Sequence, residues 1–388
     1  MNTELIATAT FGLEAVVRRE VQALGCDVIK TEDGKITYRG DERTIVRSNL
    51  WLRSADRVLL KMAEFEAKTF EELFQKTTAL EWESLIPKDG RFTVTCTTVK
   101  SQLHHPPSIQ SIAKKAIVDR MSRAYGVQRL PETGADYTVK VTLLKDRVTL
   151  TVDTTGAGLH KRGYRVADVD APIKETLAAA LVQLSFWNRD RVLIDPCCGS
   201  GTIPIEAALI AGNIAPGLNR RFACEEWECI SKEIWKKERK AAFDVIIPAR
   251  SVNGQILARD IDSAAVKAAR ANALEAGVEE YLRIERGDIA RFDPEKEPGP
   301  ESVEGLWKNA VIVTNLPYGM RIGSDAEIRK IYDALKRLCK QNPGWSVFAI
   351  TSDKEMERQM GRKADRRRKL YNGNIETTYY QFHGVKLG

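Results

Sequence analysis

Apolar residues in the amino-terminal half recur every second position or every third to fourth, the periods of half-buried strands and amphipathic helices. Residues 5–10 suit a strand, and from Gly12 a helix follows with Leu13, Val16, Val17, Val21 and Leu24 on one face until Gly25 stops it. Residues 26–38 break at Asp33-Gly34, a hairpin signal, and a further helix carries Ile45, Val46, Asn49 and Leu50. A second α+β unit opens with a strand over 57–65 and a helix that Thr69 can cap while Glu72 reaches back. Residues 91–99 alternate Phe92, Val94 and Cys96 against Thr93, Thr95 and Thr97. After the Pro106-Pro107 break, Ile112, Ala113, Ala116, Ile117, Met121, Ala124 and Tyr125 make the inner face of a helix that leaves Lys114, Lys115, Asp119 and Arg123 outside. A hairpin of 136–144 and 147–152 around Lys145-Asp146 completes this half.

The carboxyl-terminal half has a different pattern, in which short apolar runs each end in a carboxylate or an amide. Residues 191–202 read as a buried strand, a turn at Asp195-Pro196, a loop through Gly199, Ser200 and Gly201, and a helix from Thr202 through Ile205, Ala208 and Leu209. A lone glycine loop is common; the flanking strand and helix raise its value. A third glycine and a Gly-Lys-Ser are both missing, which argues against a dinucleotide fingerprint and a P-loop. What remains is a loop passing close to a ligand with a carboxylate and an amine, Asp195 facing the amine and the helix amino terminus receiving the carboxylate.

Residues 255–260 form the next strand and end in Asp260, a carboxylate that can accept both hydroxyls of a ribose. Asp262 and Ser263 cap the following helix, whose Ala265, Val266, Ala269 and Ala273 face inward. A third strand, 282–285, ends at Gly287-Asp288, where the carboxylate can accept from an adenine amine and Ile289 can pack on the ring. The fourth, 311–315, runs into Asn315-Leu316-Pro317-Tyr318, a turn suited to gripping a flat base with an exocyclic amine. Four ligand groups at successive carboxyl ends of one parallel sheet match the place where open α/β sheets bind ligands. Residues 345–351 and 377–383 supply later strands. Between them Arg362-Lys363 and Arg366-Arg367-Arg368-Lys369 form a basic run, either a solvated face or a phosphate contact. The insertion 212–253, rich in charge and Trp, has no chemical reading.

Composition sets outer bounds on these readings. A chain of 388 residues accommodates two or three domains, expected at 1–64, 65–157 and 158–388 with a connector over 158–170. The net charge of +7 permits a polyanionic partner without demanding one. Seven cysteines without a CxxC pair argue against a disulfide framework and a zinc ribbon, so reduced thiols and no metal are expected. No basic leader and no apolar run of spanning length stands in the sequence, so the expectation is a soluble, cytoplasmic protein with no membrane partner. Nothing in the amino-terminal half looks catalytic, which suggests a binding module. His160, Lys161, Arg162, Tyr164 and Arg165, spaced by Gly158 and Gly163, suit phosphate and stacking contacts at the junction.

Taken together, His160-Lys161-Arg162-Gly163-Tyr164-Arg165, Ala171-Pro172-Ile173-Lys174-Glu175-Thr176-Leu177-Ala178, Asp195-Pro196-Cys197-Cys198-Gly199-Ser200-Gly201-Thr202, Asp260-Ile261-Asp262 and Asn315-Leu316-Pro317-Tyr318-Gly319 are specific. In these motifs, and over nearly its whole length, the chain resembles the class I S-adenosylmethionine-dependent RNA methyltransferases that carry a THUMP domain, in particular bacterial 23S rRNA guanine-N2 methyltransferases. The resemblance implies an α/β fold, with a Rossmann-like methyltransferase domain preceded by a ferredoxin-like and THUMP region. It further implies a site in which Asp195, Gly199 and Gly201 hold the methionine part of S-adenosylmethionine, Asp260 its ribose and Asp288 its adenine, with Pro196, Ser200, Thr202, Ile261, Ile289 and Asn315 also at the donor. Asn315, Leu316, Pro317 and Tyr318 would be catalytic, with Leu316 standing where the family often has a second Pro. RNA would be met by His160, Lys161, Arg162, Tyr164 and Arg165, and by Lys114, Lys115, Arg366 and Arg367. The target expected is a guanine N2 amine in 23S rRNA. A tRNA guanine, adenine N6 methylation and a catalytically silent RNA-binding assembly factor are the alternatives.

Overall fold

A computed structural model describes residues 3–167, 172–252, 255–296, 306–317 and 325–385. It separates into two compact units that are not contiguous in sequence. The first holds the residues through Ala9, Val17–Leu159 and Arg220–Ala241, and the second Thr10–Val16, His160–Asn219 and the chain from Ala242 onward.

In the first unit β1 (Thr3–Ala9), α1 (Glu14–Ala23, begun in the second unit), β2 (Val28–Glu32), β3 (Lys35–Gly40), α2 (Glu42–Trp51) and β4 (Ala55–Glu66) are followed by α3 (Phe70–Thr78), β5 (Arg91–Val99), α4 (Pro106–Tyr125), β6 (Asp136–Leu144) and β7 (Arg147–Asp153). Their strands form one sheet in the order β2-β3-β1-β4-β7-β6-β5. The twelve-residue β4 is why the sheet is continuous: it pairs antiparallel with β1 on one edge and with β7 on the other. Lys145 and Asp146 both take left-handed φ values, 52° and 63°, which matches the hairpin twist between β6 and β7. Pro106 and Pro107 open α4 rather than break the chain before it, because a helix's first residues need no N–H partner; His105 caps it, and Gly126 in the left-handed region ends it. Ala124, expected on the inner face, is exposed in that last turn.

The insertion left unread in the sequence belongs largely to this unit. Trp227 is fully buried, stacks on Tyr137 with ring centroids 4.8 Å apart, and donates from its indole N–H to Asp136 O at 3.0 Å. Phe222 stacks on Trp235 at 5.6 Å, and Arg43 pairs with Glu238 at 2.6 Å. Trp227 and Trp235 are therefore packing groups and Glu238 a pairing group.

The second unit contains α5 (Glu175–Leu184), β8 (Leu193–Asp195), α6 (Thr202–Ala211) and the end of α7 (Lys232–Asp244), then β9 (Ile256–Asp260), α8 (Ser263–Glu275), β10 (Leu282–Arg286) and β11 (Val311–Asn315). After these come α9 (Asp325–Gln341), β12 (Ser346–Thr351), α10 (Met356–Met360), β13 (Arg366–Asn372) and β14 (Ile375–Phe382). The sheet order is β10-β9-β8-β11-β12-β14-β13, parallel from β10 through β12 and antiparallel beyond. The order reverses between β8 and β11, so the chain departs to opposite sides and opens a crevice at their carboxyl ends. One face packs Leu177, Leu181, Ile205 and Ala208, the other Tyr332, Leu335, Leu338 and Met356. The Arg366–Lys369 part of the basic run expected between two strands opens β13, hairpin-paired with β14.

Candidate active site

Asp195 ends β8 and is 1% exposed. Thr314 of β11 donates its hydroxyl to Asp195 Oδ1 at 2.8 Å, and the Cys197 N–H approaches the same oxygen at 3.3 Å. Burial pushes the carboxyl up to about 7; these two hydrogen bonds pull it down and nearby Asp260 pushes it further up. A carboxylate kept so dry at neutral pH is suited to a cationic ligand group.

The loop after it passes through Gly199 and Gly201, both at positive φ. A side chain on Gly201 would set its Cβ 3.0 Å from that of Ala269, so glycine is needed for conformation and for close packing against α8. Asn272, buried on α8, holds the loop: its Nδ2 donates to Ser200 O at 3.0 Å and to Ala167 O at 2.7 Å, while its Oδ1 accepts from the Val166 and Ala167 N–H groups. Ser200 and Thr202 are buried beside it, and Thr202 begins α6.

Asp260 reaches the loop from β9, accepting from the Gly199 N–H at 2.9 Å on one oxygen and from the Asp262 N–H at 3.0 Å on the other. Asp288 accepts from the Ala290 N–H on Oδ1. The two apolar residues expected at the donor differ. Ile289, expected on the adenine ring, is 5% exposed and packed in the core with Phe292, whereas Ile261 is 64% exposed. Asn315 ends β11 beside Asp195, with its Oδ1 buried and unpartnered among the described residues. Leu316 is buried, its N–H donating to Ile350 O at 3.1 Å, and Pro317 follows. Tyr318 lies outside the described residues. Asp195, Cys198, Gly199, Ser200, Thr202 and Asn315 line one pocket. An unpartnered acceptor, a dry carboxylate and a glycine-built backbone cradle in one crevice fit the amino-acid end of S-adenosylmethionine.

Three residues expected to meet RNA are instead structural. Arg162 is buried 3.3 Å from Glu206, and the Tyr164 hydroxyl donates to Glu206 Oε1 at 3.1 Å, so neither side chain can reach a phosphate or a base. Arg165 pairs with Glu175 at 3.0 Å and donates to Ile173 O at 2.8 Å, tethering the segment before α5. His160 is half-buried and Lys161 exposed. Lys114 lies 5.5 Å over the Phe92 ring and 3.8 Å from Glu132; Lys115 is exposed over Phe74. Arg366 and Arg367 are exposed on β13. Sequence reasoning overlooked Thr314, Asn272 and Glu206, though a polar residue within the apolar stripe of α6 or α8 was the available signal.

Comparison with known proteins places three family models along the chain: an RlmL ferredoxin-like domain over residues 4–59, a THUMP domain over 67–153 and an RMKL-like methyltransferase domain over 162–381. A Bacillus subtilis protein named "Putative RNA methyltransferase YpsC" is 46% identical over 97% of this chain and 95% of its own length. The ribosomal RNA large subunit methyltransferase K/L of Cellvibrio japonicus is 31% identical over 98% of this chain, which spans 51% of that larger protein. Among solved structures, a Listeria monocytogenes protein described as a predicted N6-adenine-specific DNA methylase superposes with TM-score 0.91 at 46% identity, covering 99% of this chain and 97% of that one. A methyltransferase crystallised with SAH, SMU.472, superposes with TM-score 0.90 at 41% identity, covering 100% and 99%.

Proposed function

The chain belongs to the RMKL-like methyltransferase family with its amino-terminal ferredoxin-like and THUMP domains, and we propose that it methylates the exocyclic N2 amine of a guanine in large-subunit ribosomal RNA. S-adenosylmethionine supplies an electrophilic sulfonium methyl. Asp195 would hold the donor's ammonium, the Gly199–Gly201 backbone and the start of α6 its carboxylate, Asp260 its ribose and Asp288 its adenine, with Ile261 beside the ring.

The observation that carries the reading is the buried, unpartnered Asn315 Oδ1 in the same pocket as Asp195. An aromatic exocyclic amine is a poor nucleophile because its lone pair is delocalised into the ring. If Asn315 Oδ1 and the Leu316 or Pro317 carbonyl accept its two hydrogens, the lone pair turns toward the methyl, which is catalysis by orientation and preorganised dipoles. Tyr318, outside the described residues, would stack on the base, which has to be unpaired or flipped out. The N–CH3 bond would form as the S–CH3 bond breaks, releasing neutral S-adenosylhomocysteine, and no strong base is required because the methylated amine becomes acidic as it forms and can give its proton to water.

The THUMP domain and the large-subunit methyltransferase K/L relative support an RNA substrate and favour ribosomal RNA. Mass mapping of nucleosides in rRNA and tRNA from cells with and without the protein tests the assignment. Loss of an N2-methylguanine from large-subunit rRNA is the expected result. Loss of the same nucleoside from tRNA alone, or of N6-methyladenine, reassigns the substrate; unchanged RNA modification together with no binding of S-adenosylmethionine rejects an enzyme.

A further inference from the structure

A second groove in the same unit, outside the donor pocket, is lined by Phe11, Leu184, Phe186, Arg366, Arg368 and Gln381 among others. Gln381 on β14 stands directly opposite Arg366 on the edge strand β13. It is 3% exposed, yet its side-chain Oε1 has no hydrogen-bond partner among the described residues. Buried acceptors are nearly always satisfied, so this one leaves room for a donor that the described residues do not supply.

Phe186 sits just past the C-cap of α5 at φ +56°, the left-handed position where helices normally place glycine. Its ring is nevertheless 53% exposed, tilted against His383 with centroids 6.1 Å apart. Stability alone favours glycine there. The cations of the run are not equivalent. Arg367 lies 3.6 Å from Glu357, Lys369 is 2.7 Å from Glu376, and Arg368 donates to Gly12 O at 2.7 Å. Arg366 is exposed without a carboxylate partner among the described residues.

We propose that this groove binds a single-stranded segment of the RNA substrate, apart from the methylated base. Arg366 faces a phosphate, a ribose 2′-hydroxyl donates to Gln381 Oε1, and an unstacked base lies on Phe186. DNA has no 2′-hydroxyl to offer, and a duplex keeps its base faces stacked. The proposal rests on the RNA-substrate reading and adds a strand-specific holding site to it.

The test is fluorescence anisotropy on the full chain with a labelled oligouridylate of about 12 nucleotides, within the site size of single-strand grooves, and its oligodeoxyuridylate counterpart. Binding of S-adenosylmethionine is measured in parallel by calorimetry. The wild type is expected to prefer the ribo-oligomer. Phe186→Gly should weaken ribo-oligomer binding about fivefold or more while its thermal midpoint holds or rises, a combination that a purely structural Phe186 would not produce. Arg366→Ser should weaken binding and flatten its salt dependence. Gln381→Leu should bring the two oligomers to equal affinity. If Gln381→Leu fails to fold, the wild-type sugar preference and the Phe186 variant decide. Equal wild-type affinity for both sugars, or wild-type binding by both Phe186→Gly and Arg366→Ser, overturns the groove. Preserved oligomer binding with no binding of S-adenosylmethionine overturns the methyltransferase reading and leaves the groove standing.

Discussion

Thr314 donates its hydroxyl to Asp195 across 2.8 Å in the buried seam between β11 and β8. The strand that delivers Asn315 thereby also holds the Asp195 carboxylate, so the proposed donor site and the proposed base site share one hydrogen bond.

Replacing Thr314 with Val keeps the shape and removes the donor. A hydrogen bond to a charged group contributes about 1.5–3 kcal/mol, so affinity for S-adenosylmethionine should fall roughly tenfold or more at pH 7.5. Isothermal titration calorimetry reads this directly, and an unchanged Kd would show that Thr314 does not hold Asp195 for the ligand.

Asp195 makes the protein sensitive to pH near neutrality. Its folded pKa, about 7, lies above the usual value of 3.8. The native state therefore keeps a proton that the unfolded chain has released. The stability this confers is complete below the unfolded value, declines as pH rises toward 7 and is lost above it. The ligand-free thermal midpoint should drop as pH rises from about 4 to about 7, the interval between the unfolded and folded values, with Asp195→Asn flattening that part of the curve. Affinity for S-adenosylmethionine should move oppositely, rising as Asp195 ionises to meet its ammonium.

Asn315→Ala should reduce methyl transfer about a hundredfold or more, as the loss of a preorganised polar group does, while donor affinity changes little. Because Asn315 Oδ1 has no partner among the described residues, its removal should leave the thermal midpoint unchanged or raised. Single-turnover assays on RNA alongside thermal scans separate these effects. Wild-type turnover by the variant would discard the orientation mechanism.

Arg162→Ala tests whether that residue is structural. It leaves Glu206 buried and unpaired by its arginine, a change that costs about 3–5 kcal/mol. A lowered thermal midpoint with RNA affinity lost only in proportion to unfolded protein is expected. Full stability with weakened RNA binding would restore the phosphate-contact reading.

Much of the parallel sheet could be read in the sequence because buried strands carry their own signature, an apolar run closed by a polar residue. Residues 255–260, 282–285 and 311–315 differ from the observed strands by a residue at most, and Asp195, Asp260, Asp288 and Asn315 all fall at carboxyl ends. The strand β13 went unread because its run of charge shows no apolar alternation, whereas an edge strand tolerates and even favours exposed charge.

What the sequence by itself determined is local: turn chemistry at Asp33-Gly34 and Lys145-Asp146, helix faces, and which side chains end each buried strand. Tertiary structure alone decided which of these polar groups meet. Arg162 and Tyr164 read as phosphate and stacking contacts until packing excludes water from both and sets them against Glu206. Trp227 has no reading until it lies on Tyr137, 90 positions away. Thr314 is an ordinary strand residue until β8 is laid beside β11. The physical reason is that a side chain's role depends on its partners and its access to water, and both are set by contacts distant in sequence that no local pattern encodes.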